Sequence, residues 1–360
     1  MDAVSVLASF PHLQELDLLA SLCLAPALKA TRTLTNDSTQ TQAQRLKLAF
    51  SGVIGATGLA PLLLRCPNLT HLDFGGVRAL DIPTLQVLVS RNLLYWLTSL
   101  TIGRYAYDGT AQLILQALGR TQRLRRLCLG NPTEPTLEVL SKHHGQHLEQ
   151  LTLVDFNCAA VSPMVVLATC TALKTFVITS MQGMPLDVRK VVDQPWACTQ
   201  LESLKMPLSL ELRSNQALLA QEGRRRAAKV DNISDNDARM LSEWREAEMA
   251  LMERLGTLTQ LRELRLMARK KSRLTSGDSM SWRLTTGLDR LQDLDRLEVL
   301  DLGLRPYVQT MREFQWMKEH WTSLKRLVIY RFDNAQRRAW FRHEWPEVKV
   351  VELCRKRRSR

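Results

Sequence analysis

The chain has 360 residues, enough for two ordinary domains or one long repeat array; 45% are hydrophobic and only 6% aromatic, a bias away from sandwiches and barrels. Its formal charge is +13, from 49 Lys and Arg against 36 Asp and Glu, and part of the excess lies in a basic tail at 355–360. Seven cysteines without one CxxC pair speak against zinc knuckles and redox dithiols, and no apolar run approaches the roughly 18 residues of a membrane span.

The N-terminus, Met1 to Phe10, contains Asp2 and no basic start, unlike a signal peptide. With an odd cysteine count this points to reduced thiols and a cytoplasmic or nuclear location. From there one pattern recurs, Leu-x-x-Leu-x-Leu with aliphatic or Phe substitutions. It reads Leu13-Leu16-Leu18, a degenerate Ala43-Leu46-Leu48, Leu69-Leu72-Phe74, Leu97-Leu100-Ile102, Leu124-Leu127-Leu129, Leu148-Leu151-Leu153, Leu173-Phe176-Ile178 and Leu201-Leu204-Met206. After a gap it resumes as Leu261-Leu264-Leu266, Leu297-Leu300-Leu302 and Leu324-Leu327-Ile329, with a weaker last copy, Val348-Val351-Leu353. Successive first positions differ by 24 to 30 residues except after Leu201 (60) and Leu261 (36), which matches the leucine-rich-repeat period of about 20–29.

Leu-x-Leu is a short strand of period two, so both leucines point one way and the residue between them the other. The rest of each unit returns on the far side. Leu85, Leu88 and Val89, then Leu113, Leu115 and Leu118, then Leu137 and Leu140 give helical returns. Stacking predicts an α/β leucine-rich-repeat solenoid, a horseshoe with a parallel inner sheet and outer helices. It runs over 1–354 as a single array of about twelve repeats.

Between repeats, little resembles chemistry. Gly52-x-x-Gly55-x-x-Gly58 lacks the Lys-Ser/Thr of a phosphate loop and the spacing of a dinucleotide fingerprint. His143-His144-x-x-His147 reads as exposed loop histidines rather than a metal site, because Gly145 interrupts it and no Glu or Cys stands beside it. There is no GxSxG elbow. No enzyme activity, cofactor or metal is expected.

The 60-residue gap holds a polar insertion and helix at 209–256. Residues 209–236 are charged, include Arg224-Arg225-Arg226, and are expected to be poorly ordered and dispensable for folding. Over 238–255 the apolar face Met240, Leu241, Trp244, Leu251, Met252 and Leu255 predicts a helix, with Glu243, Arg245, Glu246, Glu248 and Glu253 mainly elsewhere. Asp235 or Asp237 can cap its start and Gly256 suits its end. Another basic run, 269–273, follows the next strand.

Cys66, Cys170 and Cys198 each stand three residues before the first Leu of a repeat, in CPNLTHLDF, CTALKTFVI and CTQLESLKM. This resembles the cysteine-containing leucine-rich repeat of F-box proteins. LGTLTQLRELRL, GLDRLQDLDRLEVLDLG and FQWMKEHWTSLKRLVIY are similar to the large fungal set of F-box-like leucine-rich-repeat proteins. The resemblance implies substrate recognition for a ubiquitin ligase. The F-box itself, a Leu-Pro-rich helical segment, has no room before Phe10-Pro11, so an F-box adaptor is a partner only if an F-box precedes the repeats. The shared offset predicts that the three cysteines are buried and reduced, since free Cys behaves as a small apolar residue.

Function is expected on the concave strand face. Residues between the two strand leucines point into it: Asp17, Asp73, Thr101, Thr152, Lys205, Arg265 and Asp301, with Arg126 and Arg326 two positions earlier on their strands. The face reads acidic, then neutral, then basic near Lys205 and Arg265, and suits a protein partner. A nucleic-acid groove calls for a continuous basic stripe with aromatics, so nucleic acid is an unfavoured partner and no membrane is expected. The alternative is a basic intracellular scaffold that binds nucleic acid or another polyanion through its tail and basic runs.

Overall fold

The computed structural model describes residues 15–21, 44–51, 63–64, 66–75, 89, 94–103, 108–157, 162–180, 186–209, 235–266, 282–301, 310–329 and 335–352. The chain divides into two compact units, Met1–Asn157 with Val165–Leu173, and Cys158–Met164 with Lys174–Arg360.

The first unit is a stack of parallel strands in chain order: β1 (Glu15–Ser21), β2 (Arg45–Ser51), β3 (His71–Phe74), β4 (Ser99–Ile102), β5 (Arg126–Gly130) and β6 (Gln150–Phe156). Leucine faces leucine along the rungs: Leu16 pairs with Leu46, Leu46 with Leu72, Leu72 with Leu100, Leu100 with Leu127 and Leu127 with Leu151. The strand entries lock in a repeated way. One carbonyl of each rung accepts two consecutive N–H groups of the next, as Thr98 O does from Arg125 and Arg126 at 2.9 and 3.0 Å, and Arg125 O from Glu149 and Gln150 at 2.9 Å each. The returns are α1 (Asp108–Gly119), α2 (Glu134–His144) and α3 (Met164–Thr169), the last almost wholly in this unit.

The second unit repeats the plan with β7 (Thr175–Ser180), β9 (Ser203–Lys205), β11 (Glu263–Arg265), β12 (Val299–Asp301), β13 (Arg326–Ile329) and β14 (Lys349–Glu352). A separate pair, β8 (Leu186–Asp187) and β10 (Leu208–Ser209), runs parallel beside it, an element the repeat pattern does not foretell. Its helices are α4 (Val188–Val192), α5 (Asp235–Gly256), α6 (Met311–His320) and α7 (Ala335–Glu344). Because β9 pairs directly with β11, the chain between Lys205 and Glu263 adds no rung to this sheet despite spanning two repeat lengths.

Every Leu-x-Leu site expected from the sequence touches one of these strands, and the fold in each unit is the leucine-rich-repeat plan of parallel strands with helical returns. The core is the leucine ladder: Leu127 is 3% exposed, and Leu151, Leu204, Leu264, Leu300 and Leu327 are wholly buried. Each such side chain contributes about 1.5–3 kcal/mol by burial. The last rung departs from expectation: Val350, not Val351, stands opposite Leu327. No described strand follows β14 to hold it in the leucine register.

Several sequence expectations need correction. Leu113 and Val89 are exposed at 54% and 43%, while Ile114, Leu115 and Leu118 fill the core under α1. In α5 the face Trp244, Leu251, Met252 and Leu255 is buried as expected, but Glu248 is also buried, and its carboxylate accepts the Trp282 N–H at 3.1 Å. Gly256 closes α5 where a Cβ would lie 2.3 Å from the Arg290 carbonyl oxygen, so close backbone approach demands glycine there. His144 is not a loop residue; it ends α2, fully buried, with Nε2 2.8 Å from the Leu115 carbonyl oxygen. The segment 210–234, with most of the stretch expected to be dispensable, lies outside the described residues, as do the basic runs at 224–226, 269–273 and 355–360.

Cys66, Cys170 and Cys198 are free and buried. The same offset before a strand is filled by Leu94, Leu258, Leu294, Trp321 and Trp345, all buried. In these turns the carbonyl at this position accepts the N–H three residues on, as Cys198 does from Leu201 and Trp321 from Leu324. A slot that takes Cys, Leu or Trp is a packing slot. Burial pushes the Cys170 thiol up to about 11, partly opposed by a hydrogen bond with Thr169.

Candidate partner-binding faces

The strand residues that alternate with the leucine ladder form two rows in each unit. In the first, Asp73, Thr101, Cys128 and Thr152 stand in register, and His71, Ser99, Arg126 and Gln150 form the row beside them. Thr101 and Thr152 are half-buried and Arg126 is exposed. Asp73 is committed locally, since its Oδ1 accepts the Gly75 N–H at 2.7 Å and so shapes the exit from β3. Beside it, burial and then the Asp73 charge push the Cys128 thiol up to about 11, so it stays protonated. Asp17 lies on β1 in register with Lys47; its side chain is outside the described residues.

In the second unit Lys205 and Arg265 stand in register on β9 and β11, with Ser203 opposite Glu263 in the adjacent row. The expected basic centre is therefore not free charge. Lys205 Nζ lies 2.6 Å from Glu263 Oε2, Arg265 pairs with Glu263 Oε1, and Ser203 donates to Glu263 Oε2 at 2.9 Å. Burial alone would raise the Glu263 carboxyl. The Lys205 and Ser203 hydrogen bonds and the positive charges of Arg265 and Lys205 outweigh it and hold the group below the usual carboxylate range. Asp301 stands opposite Arg265 on the next rung, a second carboxylate on that side, and Arg265 Nε is buried without a hydrogen-bond partner among the described residues.

Asp301 is a correction: expected on the face, it is only 4% exposed, and its rung neighbour Val328 is equally buried. The face is covered at that pair, whereas Arg326, one row over on β13, is exposed.

Sequence reasoning missed a second cluster, at the strand entries of the first unit. Tyr95 and Trp96, both 45% exposed, meet edge to face at 5.0 Å. The Arg123 guanidinium lies over both rings, 4.9 Å from the Tyr95 centroid and 4.3 Å from that of Trp96. Trp96 and Arg123 each directly precede the first Leu of adjacent repeats, so aligning the repeats residue by residue would have put them side by side.

Among the described residues no group of three His, Cys, Asp or Glu side chains is placed to hold a metal, and no helix is long and apolar enough to cross a membrane. By fold, then, the chain is a leucine-rich-repeat protein, and its polar residues are arrayed on strand faces and strand entries. No protein-family model matches it, and no curated protein does. Among solved structures it is similar to one described as the crystal structure of the Rad7 and Elc1 complex in yeast, at 14% identity over 92% of this chain and 88% of that one, with a TM-score of 0.36.

Proposed function

We propose that the chain is a non-enzymatic protein-interaction module whose partner docks on the polar strand face. The observation that carries this is the register itself: polar side chains recur at the same rung positions, held by the ladder beneath them, so that a rigid surface is presented without an ordering cost at binding. The cysteine-containing repeats further favour the recognition part of an F-box-like ubiquitin-ligase receptor, working in the cytoplasm or nucleus without a cofactor. An F-box adaptor enters this reading only if an F-box precedes the repeats.

The test is capture from source-cell extract on the immobilised chain, comparing wild type, Arg265→Glu and a form lacking 355–360. Arg265→Glu places two carboxylates together beside Lys205, so it should abolish or strongly weaken capture of the partner while a thermal melt still shows a folded chain. Removal of the tail should mainly slow association, because its five basic residues act through long-range steering that salt screens. If tail removal abolished capture and Arg265→Glu left it intact, polyanion binding would replace this reading.

A further inference from the structure

We propose that the Tyr95–Trp96–Arg123 cluster of the first unit is a second docking site, one that takes an acidic peptide segment of a partner protein. It lies at the strand entries rather than on the strand face, so it stands independently of the reading above.

Its composition is that of an interface anchor, since Trp, Tyr and Arg dominate binding hot spots. Both rings are 45% exposed, and they adjoin one another and an arginine rather than standing singly. The arrangement is already ordered. Arg123 is held by cation–π contact with both rings, so much of the entropy cost of fixing a long side chain is met before any ligand arrives. Cation–π contact takes up no hydrogen-bond acceptor, so the guanidinium N–H groups remain able to donate to a carboxylate.

Charge then selects the ligand. Residues 120–126 hold Arg120, Arg123, Arg125 and Arg126, and among the described residues only Arg125 has a carboxylate partner, Glu149 at 3.9 Å. Neither the Trp96 indole N–H nor the Tyr95 hydroxyl has a protein hydrogen-bond partner there. Donors exceed acceptors, which fits a carboxylate flanked by an apolar side chain that packs on the rings. A run of nucleobases fits less well. The two rings are perpendicular, at 88°, and one face of each is taken by Arg123, so no row of parallel stacking platforms is offered.

The test is selection of a random peptide library on the full chain, followed by affinity measurement of the enriched peptides on variants. Enriched peptides should carry Asp or Glu next to an apolar residue, and Trp96→Ala and Arg123→Ala should each weaken them by about tenfold or more. Arg123→Lys keeps the charge but loses the forked donors of the guanidinium, and should also weaken them. Arg290→Ala, an exposed arginine of the second unit, should leave affinity unchanged. Thermal melts check folding, and loss of affinity counts only in variants that melt as wild type does. If Trp96→Ala melts early, Arg123→Ala and Arg123→Lys, which remove only a half-exposed side chain, decide. Failure to enrich peptides, enrichment of peptides without carboxylates, equal binding by the folded variants, or displacement of the peptides by a thymidine oligonucleotide at stoichiometric amounts would overturn the proposal.

Discussion

The two units solve the same problem with differently paired surface cations. In the first, Arg123 and Arg126 stand at or beside the strands with no carboxylate paired to them among the described residues. In the second, the two cations that sequence reading marks as the basic centre, Lys205 and Arg265, are both held by Glu263. Cores do not distinguish the units, because the leucine ladder is equally buried in each. The difference teaches that a basic residue at a face position is not available charge until its rung neighbours are known. Glu263 is two residues from Arg265 but 58 from Lys205, and only the parallel register brings all three together.

The largest effect should come from the part the units share. Leu127→Ala and Leu264→Ala should each cost about 2–5 kcal/mol, read by chemical denaturation, because both empty a packed rung. If one were nearly neutral, that unit's ladder would not be the support described above.

Next in size is the counter-ion. Glu263→Ala strands two half-buried cations and should destabilise by about 1–3 kcal/mol, whereas Glu149→Ala, whose pair with Arg125 is 3.9 Å long and well exposed, should cost under about 1 kcal/mol. Equal losses would erase the contrast between the units. The lowered Glu263 group also sets a pH dependence. Its contribution is fully present above the ordinary carboxylate value of 4.5 and is lost as pH falls through its lower folded value, so Glu263→Gln should melt with a shallower acid limb.

The first unit carries an acid sensor of its own, acting at higher pH. Burial, only partly opposed by the Leu115 hydrogen bond, and the charges of His143 and His147 hold His144 below its ordinary 6.5. The unfolded chain then binds a proton that the folded chain refuses, so stability is complete above 6.5 and falls as pH drops below it. His144→Gln should flatten that fall in thermal melts at a series of pH values, while Glu263→Gln should leave it unchanged.

The smallest effect is chemical. Cys66, Cys170 and Cys198 should react with a thiol reagent only as fast as the fold opens, and the half-exposed Cys128 should also be slow near neutral pH, because its thiol is pushed up to about 11. Fast labelling of all three slot cysteines in the native state would show that the slot is open.

The leucine pattern was enough to read the strands, because alternation of apolar side chains is itself the physical requirement of a one-sided strand. It also carried the buried cysteines, through their constant offset. What it could not carry were contacts made by neighbours in space. Asp301 alternates correctly yet is buried beside Val328, Glu248 sits on the charged side of α5 yet accepts the Trp282 N–H, and Leu113 fits the helical spacing yet faces out. The Tyr95–Trp96–Arg123 cluster was within reach of a repeat alignment extended one residue upstream of each leucine triplet. The roles of Lys205 and Arg265 required the register.

The central claim is that the strand face, not the outer helices, meets the partner. The most direct measurement places a photo-crosslinking amino acid singly at Thr101, Thr152 and Arg326 on the face, and at Glu138, Lys142 and Gln315 on the exposed sides of α2 and α6, then irradiates each chain in source-cell extract. The account predicts that the face positions crosslink to a common protein and the helix positions do not; crosslinking to that protein from α2 or α6, with none from the strands, would contradict it.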